Sequence, residues 1–360
     1  MENSSLSKPV LLLLFILSLI ALLYIGRPFL VPVGYSLLLA IALTPLCRKL
    51  EQRGLGRGLA VSVCVGLLVL LISGVISVLS VRTVNVAQDF MALQDQVFAR
   101  LDKVETYVTR LTHWSQERQL GYLKSQTTLL LGMVSTYLQS LLTSAALTLV
   151  EFGLILFYIF CWMYYRERFE QFMLRVVPRR EQRTARTVEE AVGEMTYQYI
   201  SGRLLVLLIQ GAIYYLGFLL VGGPYPLFFA ILGAILNIVP YIGAVLAGLF
   251  PLLIALLTGS VVNIIGVAGV ALGNHLFESN YLTPKIVGAK VKISPLFTVF
   301  TVVIGELIWG VAGMILFIPL LGVIKIICDN VDELRPYGLL IGDETTSEKK
   351  MIERTQREAA

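Results

Sequence analysis

Charge is what this chain has least of. Only 15% of its 360 residues are Asp, Glu, Lys or Arg, against about a quarter in a typical soluble domain. Histidine is nearly absent: His113 and His275 are the two, far apart in sequence, so they suggest no metal cluster. The four cysteines, Cys47, Cys64, Cys161 and Cys328, have no CxxC spacing and lie in or beside apolar runs. They read as small hydrophobes, and neither a metal centre nor a disulfide framework is expected. No GxxxxGK[ST] loop is present, which excludes ATP hydrolysis by that route. GxSxG, HExxH and a catalytic pair of carboxylates are also missing, so an intramembrane enzyme is the weakest reading and no cofactor is expected. The net charge of +5 falls in short stretches between apolar runs. That is not the basic face that nucleic acid binding needs.

What the chain has instead is apolar surface. It is 56% hydrophobic, with a mean hydropathy of +0.78. No soluble fold of this length could bury that much, whereas lipid solvates it. A bilayer core of about 30 Å needs about 20 helical residues. The expected fold is an all-α polytopic membrane protein with about eight membrane segments. Six read as full spans: 10–26, 29–46, 59–81, 145–165, 204–221 and 261–277. The first follows Lys8 and resembles a signal peptide, but Ala21-Leu22-Leu23 is a poor cleavage site, so the span is read as retained.

Two further apolar stretches, 227–257 and 295–327, are too long for one straight helix. The first breaks at Asn237-Ile238-Val239-Pro240-Tyr241-Ile242-Gly243, the second across Gly305–Gly313. Proline removes an amide donor and glycine loosens the helix, so each is expected to fold back as a broken helical hairpin. A re-entrant hairpin and a tight pair of short spans both fit.

Basic residues set the orientation. They cluster in Cys47–Gly58 (Arg48, Lys49, Arg53, Arg57), in Arg166–Arg203 and in Thr283–Ser294 (Lys285, Lys290, Lys292). The positive-inside rule places all three, and both termini, in the cytoplasm of a cell whose inner membrane holds the protein. Segment 82–143 is then extracytoplasmic. Val86, Phe90, Leu93, Val97, Leu101, Val104, Val108 and Leu111 form a heptad-like seam there, which predicts an amphipathic helical hairpin. The seam serves either intrachain packing or contact between subunits. The chain thus divides into spans 1–81, the external segment 82–143, a span with a basic helical segment 144–203, a transport core 204–328 and a polar tail 329–360.

The broken stretches also resemble each other. Pro226-Leu-Phe and Pro295-Leu-Phe open them, and Pro251-Leu-Leu and Pro319-Leu-Leu stand near their ends. Each follows one apolar span. A repeat with an odd number of passes must be inverted in the membrane, a recurrent transporter design.

Several of these residues carry a family resemblance: Arg53-Gly-Leu-Gly-Arg57-Gly-Leu-Ala60, Asn237-Ile-Val-Pro240-Tyr241-Ile-Gly243, Glu278-Ser-Asn280-Tyr-Leu-Thr-Pro284-Lys-Ile-Val-Gly288, and Gly310-Val-Ala-Gly313 followed by Pro319-Leu. The chain resembles the autoinducer-2 exporter (AI-2E) family of bacterial permeases. The C-terminal half carries the specific part. The resemblance implies a multi-span permease that exports a small polar molecule or exchanges sodium for protons, and a homo-oligomer such as a pentamer.

Polar groups deep in apolar runs are candidate sites by default. Glu306 and Trp309 stand near the second break, where a carboxyl in a low-dielectric site could take up a proton; a hydrated hairpin-tip carboxylate fits equally. Asn237, Pro240, Tyr241 and Gly243 form the first break, either holding a solute or simply capping and turning the chain. Asn274, His275, Glu278 and Asn280 end the last full span, as an inner vestibule or as ordinary interfacial residues. Lys325 is expected to snorkel to the interface. A transporter coupled to protons or sodium leads. A passive channel and a scaffold that binds a partner through 82–143 are the alternatives.

Overall fold

The computed structural model describes residues 7–79, 151–223, 225–240, 242–258, 260–288 and 293–343. The expected external hairpin 82–143, the polar end of the tail and Tyr241 lie outside these residues. Within them the chain is helical apart from its turns, and an isolated bridge links Ile293 and Gly342. The protein is a multi-pass membrane protein: among the described residues five helices are long and apolar enough to cross a bilayer, alongside shorter apolar helices.

The helices are α1 (Ser7–Ile25), α2 (Arg27–Gln52), α3 (Arg57–Leu79), α4 (Glu151–Tyr164), α5 (Arg166–Val176), α6 (Gln182–Leu220), α7 (Pro226–Leu236), α8 (Ile242–Thr258), α9 (Val261–Phe277), α10 (Pro295–Trp309), α11 (Val311–Asn330) and α12 (Arg335–Ile341). Their side chains explain their surroundings. α1 is apolar all round, and nearly every side chain from Val10 to Ile25 is exposed. A helix of that kind is at home only against lipid or other apolar helices.

The spans expected at 10–26 and 29–46 are α1 and α2, with Gly26 alone between them. Gly26 keeps near-helical angles (φ −73°, ψ −2°). Its N–H bonds to the Leu22 carbonyl at 2.8 Å, and its carbonyl accepts from Leu30 at 2.8 Å. Pro28 has no N–H to continue the ladder, so the two helices meet at a bend there. The basic segment and the fifth span join: after the Pro178 turn, α6 runs unbroken for 39 residues.

Three packing units follow. α2, α3 and α4 meet through Ala40, Cys47, Ala60, Val61, Cys64, Ile159 and Met163. Their ends are tied by Arg166 to Glu51 and by Arg57 to Glu167, so the 47–58 loop and the start of the 166–203 segment share one end of the molecule. The Arg57 guanidinium holds the Glu167 carboxyl below its usual range. A second core packs α7 and α8 onto α6 and α9 through Tyr214, Phe218, Phe228, Phe229, Ala247, Ala255 and Val267. The third unit is α10 with α11, which rests on α2, α6 and α1.

Both expected hairpins are present. α7 and α8 are joined by the break after Leu236, and α10 and α11 by Gly310 alone. Gly310 has φ +64°, a conformation that glycine adopts freely. Both tips depend on bare backbone. A Cβ on Gly243 would stand 1.9 Å from the Leu236 carbonyl oxygen, and one on Gly313 would stand 1.9 Å from that of Gly305.

Candidate functional site

α6 and α9 are antiparallel. Arg203 meets Glu278, Gly217 meets Val270, and Gly266 meets Val221, so the pairings run in opposite order. Small residues let the two backbones approach closely, as expected between membrane helices. On α6, Arg203, Gln210 and Tyr214 recur at spacings of seven and four, which places them on one face. On α9, Asn274 and Glu278 do the same. The two faces meet as a polar seam inside an otherwise apolar core.

The first hairpin supplies the third wall. It starts beside the C-terminal end of α6, where Asn263 donates to the Gly222 carbonyl at 3.1 Å. Its tip reaches Arg203, whose Nη2 donates to the Asn237 carbonyl. From Leu220 to Arg203 is about 25 Å of helix at 1.5 Å per residue, most of an apolar layer about 30 Å thick. Asn237 is buried. The break at 237–240 leaves carbonyls without helical donors, and the guanidinium satisfies one of them.

Arg203 also faces Glu278, with Nη1 3.5 Å from Oε1 and side-chain exposures of 17% and 12%. Thr283 Oγ1 donates to the same carboxylate oxygen at 2.9 Å. Such a largely buried pair depends on both partners and their hydrogen bonds. Beyond Glu278 the helix widens into two π-helical stretches, Glu278–Leu282 and Pro284–Gly288. Stretches of this kind recur at functional sites.

Deeper along the seam lie groups with no such partner. Gln210 and Asn274 are buried, and both polar atoms of each side chain lack a hydrogen bond among the described residues. The Tyr214 hydroxyl and Asn237 Nδ2 are in the same condition. Tyr214 approaches Asn274 but closes no hydrogen bond with it. Leaving one buried polar group unmatched costs about 1–3 kcal/mol, so four such side chains in one seam ask for water or a polar solute between them. Along α6 they extend from Arg203 to Tyr214, about 16 Å.

The sequence-expected residues distribute unevenly around this seam. Asn237, Asn274 and Glu278 line it. Pro240 and Gly243 shape the tip that carries Asn237. His275 stands beside Asn274 with Nδ1 buried and unpartnered among the described residues. Asn280 is exposed and donates to the Leu276 carbonyl at 2.9 Å. Glu306 and Trp309 are elsewhere. Glu306 sits on the exposed outer face of α10, among Val299, Phe300, Val303 and Leu307. Trp309 is buried, packs edge-on against Phe317, and donates Nε1–H to the Leu23 carbonyl at 2.8 Å. That carbonyl lies in the last turn of α1, which has no donor of its own. Lys325 does not snorkel. It is buried beneath α12 and pairs with Asp329 at 2.7 Å.

Sequence reasoning missed Arg203, Gln210 and Tyr214. Gln210 had a signal: it is an uncharged amide in the middle of the apolar run 204–220, the rule that picked out Asn274. Arg203 had none, because it closes a basic segment and looks like a flanking charge until its partners are seen.

A multi-pass helical bundle with an interrupted helix pointing buried polar groups into a seam defines the class of membrane transporters with broken helices. The sequence profile of the AI-2E family transporters matches residues 12–333, nearly the whole chain, and the protein belongs to that family. YhhT of Escherichia coli K12, named as a candidate transport protein, is 25% identical over 308 residues, covering 85% of this chain and 86% of its own. TqsA of the same organism, named as an AI-2 transport protein, is 22% identical over 317 residues, with 87% and 89% covered. YrrI of Bacillus subtilis 168, another candidate transport protein, is 34% identical over 141 residues, or 39% of this chain and 38% of its own. A transporter family fits the non-enzymatic reading.

Proposed function

We propose that this membrane transporter moves a small polar solute, of the kind that serves as an extracellular signal, out of the cell along the seam between α6, α9 and the first hairpin. The observation that carries the reading is the set of six polar atoms on Gln210, Tyr214, Asn237 and Asn274 that are unpartnered among the described residues, all buried among apolar helices. Amides and a phenol can both donate and accept, which suits a neutral hydroxylated or carbonyl-bearing solute. The AI-2 named for TqsA is one candidate of that kind.

Coupling is assigned to Glu278. Its carboxylate is largely buried and held by Arg203 and Thr283, so a proton or a sodium ion that releases Arg203 would free the Asn237 carbonyl at the hairpin tip. Glu306, exposed on the outer face of α10, has no such link to the seam. The termini are assigned to the cytoplasm and the protein to the inner membrane as a homo-oligomer, with the second hairpin inverted relative to the first.

The test is flux into proteoliposomes with an imposed proton or sodium gradient. Glu278→Gln should abolish gradient-driven flux, and Glu306→Gln should leave it near wild type. Coupled flux that survives in Glu278→Gln would overturn the assignment. The reverse pattern would move coupling to the second hairpin.

A further inference from the structure

Away from the seam, α5 stands out by its length and its exposed face. This helix of 11 residues is about 16 Å long, roughly half of what a bilayer crossing requires. None of its residues is buried, yet Phe169, Phe172, Met173 and Val176 are large, apolar and exposed. Spacings of three, one and three put all four on one face. Arg168 and Arg175, seven residues apart, run along one flank of that face. Glu170 stands toward the other. The remaining acid of the helix, Glu167, is already taken by Arg57.

The turn after α5 adds to the positive charge. Gln182 Nε2 donates to the Leu174 carbonyl at 3.0 Å, and Glu181 N–H to the Pro178 carbonyl at 2.8 Å. These bonds hold Arg179 and Arg180 against the end of the helix. From 166 to 186 there are seven arginines and three glutamates. Trp162, Tyr164 and Tyr165 stand at the end of the apolar helix α4, with Tyr164 edge-on to Tyr165 and Trp162 against Phe169 at the start of α5, the composition that marks a membrane–water boundary. Arg168 lies over the Tyr165 ring at 5.3 Å. α5 therefore leaves the bundle at that boundary.

We propose that α5 lies in the membrane surface, with its apolar face in the acyl region and Arg168, Arg175, Arg179 and Arg180 on the headgroups of anionic lipids. A strongly apolar face flanked by arginines is the pattern of an in-plane interfacial helix, and juxtamembrane arginine clusters bind anionic leaflets. Arginine stems can cover apolar surface while their guanidinium groups reach phosphate.

The full chain tests this in vesicles of phosphatidylcholine, alone and with one third phosphatidylglycerol. A nitroxide is placed at Phe172→Cys on the apolar face and at Gln171→Cys on the opposite face, with labelled wild type as the background for the native cysteines. The ratio of collisions with oxygen to collisions with a water-soluble nickel chelate should be roughly tenfold higher at 172 than at 171. Phosphatidylglycerol should raise it further at 172, and Arg168→Gln with Arg175→Gln should remove that increase. A water-like ratio at 172 would show a solvated helix and overturn the proposal. Silence toward both reagents would place a protein there, such as a second copy, and overturn it equally. Identical values in the two lipid mixtures would overturn the anionic-lipid assignment.

Discussion

The two hairpins are built on the same plan and used differently. Each opens with Pro-Leu-Phe, each turns where glycine lets backbone touch backbone, and each has a tip carbonyl held by a side chain from another helix. In the second hairpin that donor is Tyr35, whose hydroxyl donates to the Ala312 carbonyl at 3.2 Å. The neighbouring Trp309 reaches out to α1. These are neutral bonds that fasten the hairpin to α1 and α2. In the first hairpin the donor is Arg203, a cation that also faces a carboxylate. A phenol holds a tip in place whatever the conditions. A guanidinium that also faces Glu278 links its tip to a carboxylate beyond the end of α9.

The contrast can be broken at several points. The largest effect is expected from the shared plan itself. Gly313→Ala forces a Cβ to within 1.9 Å of the Gly305 carbonyl oxygen, and backbone cannot yield as a side chain can. Folded protein recovered after size-exclusion chromatography should fall to near zero, as it should for Gly243→Ala. Next is Arg203→Gln, which leaves Glu278 a largely buried charge without a cation. Breaking such a pair costs about 3–5 kcal/mol, read as a drop in thermal unfolding temperature together with lost flux. Replacing both partners, Arg203→Met with Glu278→Leu, should recover much of the stability and none of the transport. A smaller change in stability is expected from Gln210→Leu and Asn274→Leu. Each removes buried polar atoms that lack partners among the described residues, so the protein should unfold no sooner while flux falls at least about tenfold. Equal flux in these variants would detach the seam from transport.

The smallest effect lies away from both hairpins. Arg57 lowers the Glu167 carboxyl below its unfolded value, so their contact stabilises fully above the usual glutamate range and is lost as pH falls through the lowered value. Glu167→Gln should therefore narrow its small stability difference from wild type between pH 7 and pH 4. Both positions are solvated, and surface pairs of this kind contribute little.

Much of the fold was legible because lipid imposes simple rules. Apolar runs of about 20 residues gave the spans, and Asn237–Gly243 and Gly310 gave the interruptions, since proline and glycine act on their own backbone. Joints were less legible. Gly26-Arg27-Pro28 reads equally as a loop or a bend, and only the hydrogen bonds across Gly26 decide. The seam was half legible. Asn237, Asn274 and Glu278 stood out as polar residues in apolar surroundings. Their partners Arg203, Gln210 and Tyr214 depend on the antiparallel register of α6 against α9, which pairs residues from 45 apart (Val221 with Gly266) to 75 apart (Arg203 with Glu278) and leaves no local trace. Glu306 drew attention for the same reason as Asn274, but the face of a helix that a residue occupies relative to its neighbours is not written in its spacing alone.

The length of α6 has a mechanical consequence. Its 39 residues make a rod of about 58 Å, roughly twice the thickness of the oily layer. Close to half of it must stand clear of the membrane as a stalk, with Arg203 near the fulcrum. Whatever steadies the outer end also sets the tilt of the half that carries Gln210 and Tyr214. A Gly-Gly insertion after Glu190 would cut that transmission, and flux unaltered by it would show that the stalk carries no force.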